Sequence, residues 1–345
     1  MKLTTEKLPS PIGEVTWVKI TADNGAVIVL SSLGAGIVAV KLPDANGKLT
    51  DVVLGYPDAA SYIGDGPCAG KTPGRYANRI AKGHFTLDGH EYTLPINNGP
   101  NSLHGGPDGF MNRIWNTTVD GDNRVVFTLD NPDGDAGYPG NLKAMTVYTI
   151  GMDGSVQIDY YATTDKATVI NLTNHTYFNL DGHNTGSCLD HELKMACSKW
   201  LPTDDTLIPS GEIASVKGTP MDFTQAHKLG ERIQEKFDAL IFGKGYDNCW
   251  MVDDWDGSLK EVATLKAPKS GRKLTVKTTQ PAAQVYTGNW LDGCPTGKDG
   301  YTYKDYDAVA IECQGCPDAP NHSNFPCQVL LPGQEYHQTI KFEFE

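Results

Sequence analysis

Short stretches of alternating apolar and polar residues follow one another along nearly the whole chain, which indicates β-strands rather than helices. Asn-Gly and Asp-Gly pairs separate these stretches, and such pairs supply the positive φ angles that tight hairpins require. The clearest hairpin joins residues 84–87 to residues 90–94 through Asp88 and Gly89. Further strands are predicted at residues 125–129, 145–150 and 156–161.

Helical periodicity is almost absent, and the best candidate for a short helix runs from Gly230 to Leu240. The 345 residues exceed the usual domain size, yet a large β architecture can form one domain of this length. No linker, shift in composition or fixed-period repeat divides the chain. The sequence therefore predicts a single all-β domain over residues 1–345, built as a large antiparallel sandwich.

The segment from Asn171 to Leu180 has two unlike faces when its residues are taken alternately, as in a strand. The mostly apolar face suits a core and comprises Ile170, Leu172, Asn174, Thr176, Phe178 and Leu180. The opposite face is a row of hydrogen-bonding side chains: Asn171, Thr173, His175, Tyr177 and Asn179. A solvated strand face usually carries Lys and Glu, so amides beside His and Tyr indicate a cleft. Such a cleft would bind a polyhydroxylated, uncharged ligand and could move its protons.

A second informative strand is predicted at residues 307–314, where a glutamate stands in apolar surroundings. One face carries Val309, Ile311 and Cys313, and the other carries Ala308, Ala310, Glu312 and Gln314. A buried carboxylate is costly unless it is hydrogen-bonded or protonated, and the small alanines leave space as a cavity wall would. Glu312 is therefore a candidate functional residue. Gln284 repeats this small-then-polar pattern more weakly.

Three other polar clusters carry candidate chemistry. Residues 70–72, Gly-Lys-Thr, resemble the end of a phosphate loop, but the first glycine of that motif is missing and Pro73 follows, so this interpretation fails. The nearby Arg75 and Arg79 are more often surface charges than ligands. His104, in a Gly/Asn-rich loop, is a plausible ligand contact. Asp247 stands at a strand entrance, where an Asp bonded to its own turn is an equal alternative.

The formal net charge of −13 argues against a nucleic-acid partner and mildly disfavours anionic substrates. The first residues lack the apolar core of a secretory signal. The longest apolar runs, such as residues 26–30, are far shorter than a membrane span. We therefore expect a cytoplasmic protein that does not enter a membrane.

Eight cysteines would suggest disulfides in a secreted protein, but a cytoplasmic chain favours reduced thiols. Cys313 and Cys316 have the spacing of half a zinc site, with His322 and Cys327 following. No second Cys-x-x-Cys is present, and these thiols lie at a strand end rather than in a knuckle. We expect no zinc site there. The sequence also lacks a His-Glu-x-x-His motif and a Gly-x-Ser-x-Gly motif, which leaves plain acid–base chemistry.

Taken together, these motifs resemble the aldose 1-epimerase (galactose mutarotase) family, in order from about residue 10 onward. The similarity is carried by residues 78–80, 101–106, 171–180, 246–247, 286–293 and 312–321. It implies a β-supersandwich fold and interconversion of the α and β anomers of free aldohexoses, with no cofactor and no metal. Departures from the family pattern are Cys313 and Cys316 beside the glutamate, and Trp290 in place of a common Phe. These departures bear on sugar preference and redox sensitivity rather than on the chemistry.

The resemblance also implies roles for individual residues. It makes Glu312 the general base and His175 the general acid. It assigns sugar binding to Asn78, Arg79, His104, Asp247 and Gln284, and we expect Tyr177 to form a wall of the same pocket. The partner is then a small free aldohexose, and we expect the chain to act as a monomer or weak homodimer.

The required chemistry agrees with these roles, because anomer exchange needs a base at the anomeric hydroxyl and an acid at the ring oxygen. At neutral pH an ordinary glutamate is anionic, whereas an ordinary histidine needs help to stay protonated. Three alternatives remain open at this level. Glu312 and Asp247 could form a glycosidase pair; the protein could bind sugar without catalysis; or Lys71, Arg75 and Arg79 could form a phosphate cradle for hexose 6-phosphates.

Overall fold

The computed structural model describes all residues, 1–345. In chain order the first thirteen strands are β1 Lys2–Ser10, β2 Gly13–Thr21, β3 Val27–Ser31, β4 Gly36–Pro43, β5 Leu49–Asp51, β6 Arg79–Ile80, β7 His84–Leu87, β8 His90–Thr93, β9 Ser102–Leu103, β10 Asn116–Asp120, β11 Arg124–Asn131, β12 Leu142–Ile150 and β13 Val156–Thr164. The other thirteen are β14 Thr168–Val169, β15 Tyr177–Phe178, β16 Glu192–Met195, β17 Lys199–Leu201, β18 Ala214–Ser215, β19 His227–Lys228, β20 Asp247–Met251, β21 Lys260–Lys266, β22 Lys273–Thr278, β23 Ala282–Tyr286, β24 Val309–Gln314, β25 Val329–Leu330 and β26 Tyr336–Phe344.

Helical structure is confined to short segments. The one α-helix, α1, is Asp238–Gly243. The 3-10 helices are Ala60–Tyr62, Ala81–Gly83, Phe110–Asn112, Asp135–Gly137, Lys298–Gly300 and Ala319–Asn321. The prediction of a helix from Gly230 was wrong for most of its length, because residues 230–236 form turns and bends and only residues 238–240 overlap α1. No helix of the chain combines the length and apolarity needed to cross a bilayer.

Three sheets make up most of the fold, and every pairing between their strands is antiparallel. The largest has nine strands in the order β10-β11-β12-β13-β26-β22-β21-β16-β19. A six-stranded sheet has the order β15-β24-β23-β20-β17-β18, and the strands β1 to β5 form a third sheet in sequence order. The prediction of an all-β antiparallel sandwich is confirmed.

The main core lies between the sheets and receives one face of each. Phe127 and Ile158 enter it from the nine-stranded sheet, Ile28 from the five-stranded sheet, and Val309 and Ile311 from β24. The predicted hairpin is also confirmed, since β7 and β8 are joined by Asp88 and Gly89, both with positive φ. The six-stranded sheet thus turns one face to the core and leaves the other free to line a cavity.

The segment from Asn171 to Leu180 is not a continuous strand. Only its flanking residues in β14 and Tyr177–Phe178 in β15 join ladders, while the residues between are extended but irregular. The apolar side packs as predicted, since Leu172, Phe178 and Leu180 all lie in the main core. The segment crosses from the edge of one small sheet to the six-stranded sheet.

His191 fastens the end of this segment from outside the pocket. Its imidazole is fully buried, and Nε2 accepts the Leu180 N–H at 2.9 Å. Burial lowers the pKa of His191 from 6.5 to about 4. Between pH 6.5 and about pH 4 the imidazole is protonated in the unfolded chain and neutral in the folded chain. The stability that the neutral imidazole contributes is therefore lost as the pH falls through this range.

We therefore expect the pH dependence of unfolding to change in a His191→Gln variant. The difference in unfolding free energy, native chain minus variant, should be constant above pH 7. It should shrink by up to about 1.4 kcal/mol per pH unit between roughly pH 6 and 4.5. Urea unfolding of both proteins at several pH values measures it. A difference that does not vary with pH would contradict the neutral, buried state of His191.

Candidate active site

A cavity of about 470 Å³ opens at the free face of the six-stranded sheet. Seven of the eight predicted site residues line it: Asn78, Arg79, His104, His175, Tyr177, Asp247 and Glu312. They come from separate stretches of chain that only the folded sheets bring together. The cavity is large enough for a single sugar ring, and most of its predicted side chains carry hydrogen-bonding groups.

Of the two predicted catalytic groups, Glu312 lies on β24, and His175 lies in the irregular stretch two residues before β15. β15 pairs with β24 through Tyr177 opposite Ala310, so His175 and Glu312 project from the same region of the sheet. The His175 Nε2 atom lies 3.4 Å from the Glu312 Oε1 atom. His175 Nδ1 and Glu312 Oε2 are buried and have no partner in the protein. The pair therefore retains free polar atoms that a ligand can satisfy.

Burial drives both members of this pair towards their neutral forms. The Glu312 side chain is 2% exposed. Burial raises the pKa of Glu312 well above its ordinary value, Asp247 raises it further, and Arg79 opposes the rise. Burial also lowers the pKa of His175 to about 4, and the Lys71 ammonium adds to this effect. Burial therefore disfavours the charged form of either group.

His104 presents a hydrogen-bond donor beside this pair. Its ring meets the His175 ring edge-on at 5.3 Å between centroids. His104 Nδ1 accepts the Asn78 backbone N–H at 3.1 Å, and the His104 backbone N–H donates to the Asn78 carbonyl at 3.1 Å. Burial lowers the pKa of His104 well below 6.5, so the neutral ring carries its proton on Nε2. Asn78 and His104 both have positive φ, 65° and 55°, a conformation that this reciprocal pairing maintains.

Arg79, Asp247 and Gln284 form a chain of polar groups beside Glu312, which pairs with Gln284 across β23 and β24. Arg79 donates from Nε to the Asn98 side chain at 3.0 Å, and its terminal nitrogen lies 3.5 Å from Asp247 Oδ2. Gln284 donates from Nε2 to Asp247 Oδ1 at 2.7 Å. Gln284 lies behind Asp247 rather than among the lining residues, and its buried Oε1 has no partner in the protein.

Tyr177 contributes its ring rather than its hydroxyl. The Tyr177 hydroxyl donates to the Pro67 carbonyl at 2.9 Å, which turns it away from a bound ligand. The ring centroid lies 4.9 Å from that of His175, and Tyr286 packs against both rings. Tyr177 is therefore a wall of the pocket and a support for the imidazole.

The sequence model of the aldose 1-epimerase family matches residues 17–343, a span that contains the whole pocket. The chain belongs to the aldose 1-epimerase family. Galactose mutarotase from Bos taurus is 42% identical over 339 residues, 98% of this chain and 96% of that protein. Aldose 1-epimerase from Escherichia coli K12 is 36% identical over 323 residues, 93% and 92% of the two chains.

The fold agrees with this membership. The crystal structure of an aldose epimerase homologue from C. elegans superposes with a TM-score of 0.86 at 32% identity, covering 99% of both chains. The predicted β-supersandwich is therefore confirmed. As a member of this family, the chain is an isomerase that acts on carbohydrates.

Three amides and hydroxyls predicted to face the cleft do not line the pocket of this family member. Asn171 bonds the Ala77 carbonyl and both backbone groups of Gly315. Thr173 donates to the Cys313 carbonyl, and Asn179 donates to the carbonyls of Gly186 and Asp307. The prediction that these three side chains face the cleft was wrong. Because the segment is irregular, neighbouring backbone groups lack partners in a ladder and form hydrogen bonds with these side chains instead.

The structure also excludes the phosphate cradle. Arg75 is fully buried, contrary to the expectation of a surface charge, and bonds Asn131, Thr168 and the carbonyls of Pro139 and Gly140. Lys71 is buried against Asp65. Neither side chain lines the cavity, and Arg79 is already paired with Asp247.

Two sets of possible metal ligands occur in the chain. Cys313 packs in the main core, whereas Cys316 lies in another cluster and Cys327 is exposed, so the Cys-x-x-Cys half-site is not assembled. Donor atoms of His104, His175 and Glu312 lie within 4.8 Å of one another. His104 has no free lone pair, however, because Nδ1 takes the Asn78 N–H. This donor set therefore suits sugar hydroxyls better than a metal ion.

Several lining residues were not identified as site residues from the sequence. They are Gly66, Pro67, Asn98, Gly99, Pro100, Leu103, Asp205, Thr206, Leu207, Phe242, Tyr286 and Trp290. Tyr286 and Trp290 belong to a family motif quoted above, so that motif was an available signal. Trp290 is 61% exposed at the rim, with the Lys244 ammonium 4.5 Å from its ring centre. The turn at residues 205–207 carries no local signal for a binding role.

Proposed function

We propose that this protein is an aldose 1-epimerase that interconverts the α and β anomers of free aldohexoses such as galactose and glucose. The observation that carries the proposal is the His175–Glu312 pair, 3.4 Å apart in a hexose-sized cavity. Family membership gives the reaction class, and this pair supplies an acid and a base for it. The roles of the individual residues are part of the proposal.

Ring opening needs two proton transfers. The Glu312 carboxylate takes the proton of the anomeric hydroxyl while the His175 imidazolium gives its proton to the ring oxygen. The C1–O5 bond breaks, its electron pair stays on O5, and the O1 lone pair forms the C1=O1 aldehyde. Rotation about C1–C2 presents the other face of C1, and the same steps in reverse close the ring as the other anomer.

The electrostatics of the cavity favour the state reached after ring opening over the charge-separated state from which it starts. Before ring opening the pair is charge-separated, with an anionic Glu312 and a protonated His175. After both transfers it is neutral, and burial stabilises the neutral form of each group. Burial therefore favours the protonation state that accompanies the open aldehyde. Each positioned acid or base contributes roughly 10²–10⁴-fold.

The remaining polar groups suit sugar hydroxyls. We assign Asn78, Arg79, His104 and Asp247 to hydroxyl recognition, with Gln284 orienting Asp247 from behind. Arg79 is compensated by Asp247, and Asp205 adds an acidic group at the rim. This balance of charge favours a neutral aldose over a sugar phosphate. The glycosidase and non-catalytic alternatives have no specific observation in their favour.

Proton NMR of the anomeric signals tests the activity and the substrate together. Pure α-galactose, α-glucose and α-glucose 6-phosphate are each followed with and without enzyme. We expect faster approach to anomeric equilibrium for the two free sugars and little effect on the phosphate. Equilibration of galactose and glucose at the spontaneous rate would refute the proposal, and cleavage of an aryl glycoside would support a glycosidase.

We also propose that the chain works as a single-domain monomer or weak homodimer in the cytoplasm. All eight cysteines are free thiols, six of them buried, which suits a reducing compartment. All the lining residues of the pocket come from one chain, so a second subunit is not needed to complete it.

A further inference from the structure

A buried ion pair lies behind the wall of the pocket, and the one effect described for it so far is that the Lys71 ammonium helps to lower the pKa of His175. Lys71 and Asp65 contact each other directly, with side chains 2% and 0% exposed. Lys71 Nζ also donates to the Tyr62 carbonyl at 2.5 Å, and Asp65 Oδ2 accepts the Ala69 N–H at 2.8 Å. Lysine and aspartate are almost never fully buried unless paired. A buried pair is also weak evidence for a gain in stability, so its position in the fold needs another explanation.

The pair closes a short loop whose apex lines the sugar pocket. We call residues 65–71 the 65–71 loop. Its ends are joined by the ion pair, and two backbone bonds, from Cys68 N–H to the Asp65 carbonyl and from Lys71 N–H to the Cys68 carbonyl, fold it internally. Gly66 and Pro67 at the apex line the cavity. The pair thus fixes the part of the wall that faces the substrate.

The 65–71 loop contacts His175 by two routes. Along the backbone, His175 N–H donates to the Lys71 carbonyl and Gly70 N–H donates to the His175 carbonyl, both at 2.9 Å. Through side chains, the Pro67 carbonyl accepts the Tyr177 hydroxyl, and the Tyr177 ring packs against the His175 ring. The loop therefore holds both the main chain of His175 and the aromatic neighbour that orients its imidazole.

The surroundings are shaped to accept the lysine. Gly34, with φ 68°, lies directly against the Lys71 stem, and a Cβ there would stand 2.8 Å from Lys71 Cγ and Cδ and 2.7 Å from the Met111 carbonyl. Such distances are shorter than any normal contact, so a side chain at Gly34 would displace the stem. The local chain therefore leaves a channel that Lys71 fills.

We propose that the Asp65–Lys71 ion pair is a positioning device that holds His175 at its working distance from Glu312 through the 65–71 loop and Tyr177. The inference rests on the proposed role of His175 as general acid. It gives a function to the Gly-Lys-Thr motif at residues 70–72, which does not bind phosphate. Lys71 and Asp65 are positioning residues, since neither touches the cavity.

A double variant, Asp65→Asn with Lys71→Met, tests this inference. It removes both charges with side chains of similar size and leaves no unpaired buried charge, and the amide oxygen introduced at position 65 can still accept the Ala69 N–H. We expect kcat for galactose to fall about tenfold with KM changed less than about twofold, because a displaced acid forfeits part of its roughly 10²–10⁴-fold contribution. A folded double variant with kcat within about twofold of the native enzyme would overturn the inference.

The chain offers a matched control in a second, nearly buried pair. Lys298 and Asp51 are 2.7 Å apart, with side chains 12% and 8% exposed, and neither lines the pocket. The variant Asp51→Asn with Lys298→Met should alter the melting temperature while leaving kcat unchanged. An equal loss of kcat in this control would show a general effect of lost ion pairs and would overturn the positioning role.

Tyr177→Phe tests the same route without touching the ion pair. It removes only the bond to the Pro67 carbonyl, and we expect kcat to fall with KM nearly unchanged. Its effect should be less than additive with that of the Asp65/Lys71 double variant, because both act through one loop. Unchanged kcat in Tyr177→Phe overturns the inference even if the double variant does not fold. Full activity of His175→Asn would instead overturn the proposed function.

Discussion

Replacing Glu312 with Gln should reduce the rate of anomer exchange by at least about 10²-fold, with little loss of stability. Gln has nearly the same shape but cannot take the proton of the anomeric hydroxyl. Glu312 Oε2 has no protein partner, and burial already disfavours the carboxylate, so an amide gives up little folding free energy. NMR of α-galactose with added enzyme measures the rate, and thermal unfolding measures the stability.

Asp159→Asn is the control for removal of a buried carboxylate. Asp159 lies on β13 in the nine-stranded sheet, where it accepts hydrogen bonds from Gln157 and Thr339. It does not line the pocket, so its variant should keep the native rate. Near-native exchange in Glu312→Gln would remove the proposed base, and the mechanism with it.

Replacing His175 with Asn should cause a loss of similar size. Asn can donate a hydrogen bond but cannot deliver a proton to the ring oxygen, so O5 would leave as an unprotonated alkoxide. Because Glu312 is still present, the residual rate should reflect one catalytic group rather than two. Polarimetry from pure α-galactose measures it, and a kcat close to that of the native enzyme would contradict the proposed acid.

His191→Gln is the control for removal of a buried imidazole. His191 is as buried as His175 and has a similarly lowered pKa, about 4, yet it lies outside the pocket, so His191→Gln should retain the native kcat near neutral pH.

His104→Ala should mainly raise KM, since His104 is placed to donate to a sugar hydroxyl. A selective loss of turnover in His104→Ala would count against its role in binding.

The sequence predicted the face pattern of β24 correctly. Val309, Ile311 and Cys313 enter the main core, while Glu312 faces the cavity. A strand in a regular ladder obeys the two-residue period strictly, so alternation alone was enough to place the carboxylate. The pairing of β15 with β24 could not be predicted from alternation. It joins residues as far apart in the chain as Tyr177 and Ala310, and no local pattern encodes it.

Prediction was poorer where the backbone leaves the ladder. Asn171, Thr173 and Asn179 have the spacing of a cleft-lining face, but each satisfies buried backbone groups instead. Side-chain amides are good partners for both sugars and peptides, and composition cannot separate these uses. The contribution of Pro67 to the pocket wall was not predicted for a related reason. Pro67 lies in a loop whose ends are joined by a buried ion pair.

The base lies on β24, and the acid lies two residues before its partner strand β15, where the 65–71 loop bonds its backbone. Ordered backbone on both sides therefore sets their separation. The rim residues Asp205, Thr206, Leu207 and Trp290 lie instead in connecting segments, which tolerate substitution and insertion far better than strands do. Divergence within such a scaffold can therefore alter which sugar enters without disturbing how its protons move. The two properties are open to separate selection, and rim libraries are the economical place to search for new aldose preferences.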